Sequence, residues 1–66
     1  MIKVNKKMYE RFIQIMDDYG EFLFGTDEEL KRQLESVLNT QGYWSGCSIR
    51  VYYDADIKDF TIENRF

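Results

Sequence analysis

Histidine and proline are both absent from this 66-residue chain, and it holds a single cysteine, Cys47. Without histidine, the side chain that most often serves as general base or metal ligand near neutral pH is missing. One cysteine cannot close an internal disulfide, and the usual zinc sets of Cys and His cannot be assembled. With no proline, no repeat and no low-complexity stretch, nothing marks a linker, and residues 1–66 read as one domain. No apolar run approaches the roughly 20 residues of a membrane span. The opening stretch Met1-Ile2-Lys3-Val4-Asn5 lacks the apolar core of a signal peptide. These absences predict a cytoplasmic, non-enzymatic protein with no cofactor, no metal and no membrane contact.

What is present argues for a folded module. Hydrophobic residues make up 44% of the chain and aromatics 17%, which excludes disorder. A chain this short buries only about 60% of the surface that its unfolded form exposes. With disulfides and metals closed off, homodimerisation is the stabilising route left open. The formal charge of −3 works weakly against non-specific binding to nucleic acid or anionic lipid.

The hydrophobic pattern divides the chain. From Lys6 to Tyr19, Met8, Tyr9, Phe12, Ile13, Ile15, Met16 and Tyr19 fall on one helical face, with charged and amide residues on the other. Asn5 is the expected N-cap of this helix and Gly20 its left-handed terminator. Ile2 and Val4 alternate with Lys3 and suggest a short edge strand. Glu21 to Gly25 is a connector carrying the apolar triplet Phe22-Leu23-Phe24. Thr26-Asp27-Glu28-Glu29 then reads as a capping box, opening a helix whose apolar stripe is Leu30, Leu34, Val37 and Leu38. Asp27–Lys31 and Glu28–Arg32 are spaced for i,i+4 ion pairs with the acid first.

Gly42 closes the second helix, and Tyr43 and Trp44 fall in a turn flanked by Gly42 and Gly46. From Cys47 the period becomes two, with Cys47, Ile49, Val51 and Tyr53 on one side. Phe60 to Asn64 alternates again, which makes a C-terminal β-hairpin. The expected fold class is α+β, with two amphipathic helices packed on a small antiparallel sheet.

Five constellations bear on chemistry. Between Phe12 and Leu30 lie six acids and no base. Asp27, Glu28 and Glu29 suit a helix N-terminus, but Asp17 and Asp18 sit at a helix C-terminus, against the dipole. Together with Glu21 they suggest an acidic patch for a basic partner. The aromatic surplus comes second: five Phe, five Tyr and one Trp are many for so small a core. Tyr43, Trp44 and Tyr52 are the candidates for exposure, because interfaces favour such side chains, and Phe66 ends the chain. The stretch from Asp54 fails as a calcium loop, with Lys58, Asp59 and Arg65 where a ligand, Gly and Glu belong. A turn bonded by its own Asp side chains accounts for it better. Cys47 has no base nearby and falls on the inward phase of its strand, as a small buried hydrophobe would. Lys3, Lys6, Lys7 and Arg11 form a modest basic patch with no aromatic interleaved among them.

In broad profile the chain resembles the small acidic inhibitors that phages and mobile elements use against host defence enzymes, such as anti-CRISPR proteins. The resemblance rests on size, acidity and lack of catalytic residues, not on a motif. It implies an inhibitor or regulator docking on a larger protein with a basic surface, one that handles nucleic acid. Asp17, Asp18, Glu21, Tyr43, Trp44 and Tyr52 are the expected partner-binding residues. The alternative is a small dimeric, nucleic-acid-associated or transcription-linked regulator acting through the basic N-terminal turn.

Overall fold

The computed structural model describes residues 1–65; Phe66 lies outside them. Two helices, α1 (Lys6–Asp18) and α2 (Asp27–Thr40), precede three strands, β1 (Tyr43–Ser45), β2 (Ile49–Asp54) and β3 (Asp59–Asn64). The strands form one antiparallel sheet in the order β1-β2-β3. This is an α+β fold with a β-hairpin at its C-terminal end. No helix among the described residues is long and apolar enough to cross a membrane.

The local signals act as their chemistry demands. The Asn5 side chain accepts from the Met8 N–H at 2.8 Å, capping α1. At its far end Gly20, at φ 68°, donates to the Asp17 carbonyl while Glu21 N–H reaches the Met16 carbonyl at 2.9 Å. That pair of bonds is a Schellman stop, which requires a left-handed residue and so favours glycine. The Thr26 hydroxyl accepts from Glu29 N–H at 3.2 Å. Neither i,i+4 pair expected on α2 closes among the described residues. Asp27 instead accepts from the Tyr9 hydroxyl at 3.0 Å, which ties α1 to the start of α2. In the β2–β3 turn the Asp54 carboxylate accepts from its own Asp56 N–H at 2.9 Å, the self-bonded turn that the sequence suggests.

Phe12, Ile15, Leu34, Ile49 and Val51 are sealed in one core between the helices and one face of the sheet. Register explains the sheet's contribution. Trp44 pairs with Val51 and Val51 with Ile62, and Tyr53 pairs with Phe60, so these residues share the inner face. Trp44 sets its ring edge-on to Phe12 at 5.3 Å.

Three local expectations need correction. Residues 1–5 form no edge strand. Asn39 of α2 brackets Ile2 instead, accepting from its N–H and donating to its carbonyl, both at 2.7 Å, while Glu35 accepts from Val4 N–H at 2.9 Å. Side chains thus satisfy the backbone groups that a neighbouring strand would have taken. Tyr43 and Trp44 are not in a turn but form β1, because Gly42, at φ 88°, redirects the chain straight from α2 into the sheet. Cys47 is exposed rather than inward-facing. Strand β2 begins only at Ile49, and Cys47 sits in the β1–β2 turn, where strand alternation does not apply.

Candidate interaction surface

The exposed side chains that follow α1 are set by how that helix ends. Its glycine stop leaves Asp17, Asp18 and Tyr19 on the surface and sends Glu21 back towards the sheet. The Glu21 carboxylate accepts from Ser48 N–H at 3.0 Å, Ser48 Oγ at 3.1 Å and Cys47 N–H at 3.2 Å. The Ser48 N–H above all, helped by Cys47, holds its carboxyl below the usual range despite partial burial. Glu21 is therefore a clasp between the connector and the β1–β2 turn, its oxygens already taken. Gly46 makes room for the clasp. A Cβ there would meet the Trp44 ring at 2.6 Å and Glu21 Oε1 at 2.8 Å.

Once Glu21 is anchored, the side chains of the connector alternate in exposure. Leu23 turns in against the core, while Phe22 and Phe24 are 84% and 88% exposed. Leu23, between them in the chain, lines a shallow depression of about 290 Å³ together with Ile13, Met16 and Leu30. Asp17, Glu21 and Asp27 stand at its rim. Neither Asp17 nor Asp18 has an ion-pair partner among the described residues. Tyr9 also lines the depression. Burial, reinforced by its bond to Asp27, pushes its hydroxyl pKa up to about 12, so it is a neutral structural donor.

Sequence reasoning passed over Phe22 and Phe24. The signal was there in the triplet's length. A connector of five residues between a glycine stop and a threonine cap is too short for a helix, and at period two only its middle residue faces in.

The six expected partner-binding residues fall into separate places. Asp17 and Asp18 are free carboxylates in the helix layer, and Glu21 is the clasp. Trp44 is half-buried against Phe12 on the inner face of the sheet, so it plugs the core. Tyr43 and Tyr52 pair on the outer face, their ring centroids 5.5 Å apart, with the Arg50 guanidinium 5.3 Å from the Tyr43 ring. Arg50 also approaches Glu63 at 3.7 Å. The tyrosines thus face away from the helix layer that carries the acids.

No group of three or more His, Cys, Asp or Glu among the described residues is placed to hold a metal ion. Comparison of the chain with family models, with curated proteins and with solved structures gives no match.

Proposed function

We propose that this protein is a non-enzymatic binding module that docks on a larger protein with a basic surface and inhibits or regulates it. One observation carries the reading. Two phenylalanines, 84% and 88% exposed, flank Leu23 in the chain, and Leu23 lines a depression together with Asp17, Glu21 and Asp27. Exposed aromatics in contact with water lose nothing by being covered, and they supply affinity when a partner buries them. Unpaired Asp17 and Asp18 steer a cationic surface toward them and set orientation. Of the six residues expected on sequence grounds, Asp17 and Asp18 stay in this docking face, Phe22 and Phe24 join it, the bonded Glu21 and core-packed Trp44 leave it, and Tyr43 and Tyr52 lie on the other face of the sheet. The broad profile shared with small acidic anti-defence inhibitors supports an inhibitory role against a protein that handles nucleic acid.

The test is comparative capture from the native host. Wild-type protein retains a partner that the Phe22→Ser/Phe24→Ser and Asp17→Lys/Asp18→Lys double variants lose, and raising salt weakens retention of the wild type. If both variants hold the same protein as strongly as wild type, this face is not the docking site.

A further inference from the structure

A second concave surface lies between the N-terminal half of α1 and the tip of the β2–β3 hairpin. Its volume is about 390 Å³, inside the roughly 300–1,000 Å³ range of small-ligand pockets. Met8 and Phe60 belong to the core and reach through to form its apolar floor, and the half-buried Tyr53 ring lines it as well. Three cations, Lys7, Arg11 and Lys58, surround that floor.

The only acid in the lining is Asp59, and its carboxylate is engaged. It accepts from Phe60 N–H at 2.8 Å and from Arg11 Nε at 3.1 Å, and these bonds hold it ionised below the usual carboxylate range. Lys7 and Lys58 have no carboxylate partner among the described residues. A chain with a formal charge of −3 thus gathers an excess of positive charge around one apolar-floored cleft. The Asn5-capped start of α1 adds the positive end of its dipole at the rim. An inorganic ion alone would leave the aromatic floor uncovered, and a neutral apolar molecule would leave two ammonium groups without a counter-charge.

We infer that this cleft binds a small anion carried on a planar body, the chemistry of a nucleoside monophosphate. The planar group covers Tyr53, Met8 and Phe60, and the phosphate sits between Lys7 and Lys58. Stacking on Tyr53 and charge at Lys58 are supplied by the hairpin, some fifty residues along the chain from Lys7, so linear spacing gave no sign of the site. The source is either a free nucleotide or the nucleotide of a single strand.

Amide NMR spectra of the 66-residue chain, titrated with adenosine monophosphate, adenosine, inorganic phosphate and a short single-stranded oligonucleotide, test the inference. Adenosine monophosphate shifts the amides of Lys7, Arg11, Tyr53 and Lys58. Adenosine and phosphate bind at least tenfold more weakly, and Lys7→Glu and Lys58→Glu each weaken the nucleotide at least tenfold while circular dichroism stays native. An oligonucleotide that binds more tightly and also shifts Lys3 and Lys6 assigns the source to nucleic acid, whereas equal affinity assigns it to the free nucleotide. Unmoved cleft amides at millimolar nucleotide overturn the inference. So does adenosine binding as well as its phosphate, or undiminished binding by a folded Lys7→Glu protein.

Discussion

The two ends of α1 are charged against its dipole in the same way, and the fold treats them differently. At the N-terminal half, Arg11 finds Asp59 of the hairpin and Lys7 faces an apolar-floored cleft. At the C-terminal end, Asp17 and Asp18 meet no cation among the described residues, while their neighbour Glu21 is bound into the β1–β2 turn. Arg11, which the hairpin reaches with a carboxylate, is compensated. Lys7, like Asp17 and Asp18, pairs with no opposite charge among the described residues and stays available to another molecule. The second case is the stronger mark of function, because the local cost buys no contact within the protomer.

The comparison can be broken first at the aromatic rings. Trp44→Ala removes a large ring from against Phe12 and should cost about 3 kcal/mol, as truncations of aromatic core residues do. Phe22→Ser or Phe24→Ser should change stability by less than about 0.5 kcal/mol, since neither ring is packed. Urea denaturation of the three variants separates a core ring from surface rings, and an unchanged Trp44→Ala midpoint would place Trp44 back among the partner-binding residues.

Gly46→Ala comes next. The added methyl meets the Trp44 ring and Glu21 Oε1, both under 3.0 Å, and such overpacking costs about 1–3 kcal/mol. Thermal melting measures it, and the loss should shrink in a Trp44→Ala background, where the obstructing ring is gone.

Acid and alkali probe the two bonded side chains. Glu21 has a depressed carboxyl pKa in the folded state, so its contribution is present above the ordinary value of 4.5 and is lost as pH falls through the lower folded value. Glu21→Gln should flatten the acid limb of a stability–pH curve. Tyr9 is raised from 10.0 to about 12, so its contribution is intact below pH 10 and disappears as pH climbs towards 12. Tyr9→Phe should flatten the alkaline limb and leave the acid limb alone.

The smallest effect sharpens the comparison most. Asp17→Lys and Asp18→Lys each place a cation at the negative end of α1 and should stabilise the fold by about 0.3–1 kcal/mol. The same changes should weaken partner retention. Denaturant midpoints that fall instead would mean the two carboxylates already have a stabilising role within the protomer.

Much of this was legible along the chain because it depends on near neighbours. Asn5, Gly20 and Thr26 act on backbone groups within three or four residues, so helix limits emerge from spacing alone. The period of two in β2 and β3 likewise sets which residues face the core. Where two readings of a short segment competed, the sequence misled. Tyr43-Trp44-Ser45 is too short to show a period, and its strand character comes from pairing with Tyr52, Val51 and Arg50. Cys47 continued the alternation of β2 on paper, yet a turn begins there. Ile2 and Val4 alternate like a strand, and Asn39 and Glu35 answer their backbone instead.

By itself, the order of residues determined that the chain forms two amphipathic helices and a terminal hairpin, without the histidine or cysteine sets on which common metal sites depend. Hydrophobic periodicity and capping are local, and they need no knowledge of what packs against what. Only the tertiary arrangement decided which charges find partners. It spent Glu21 on a turn twenty-seven residues away, left Phe22 and Phe24 in water, and carried Tyr53 and Lys58 to the side of Lys7. Long-range juxtaposition depends on how the two layers close over the core, and no short window of sequence contains that information.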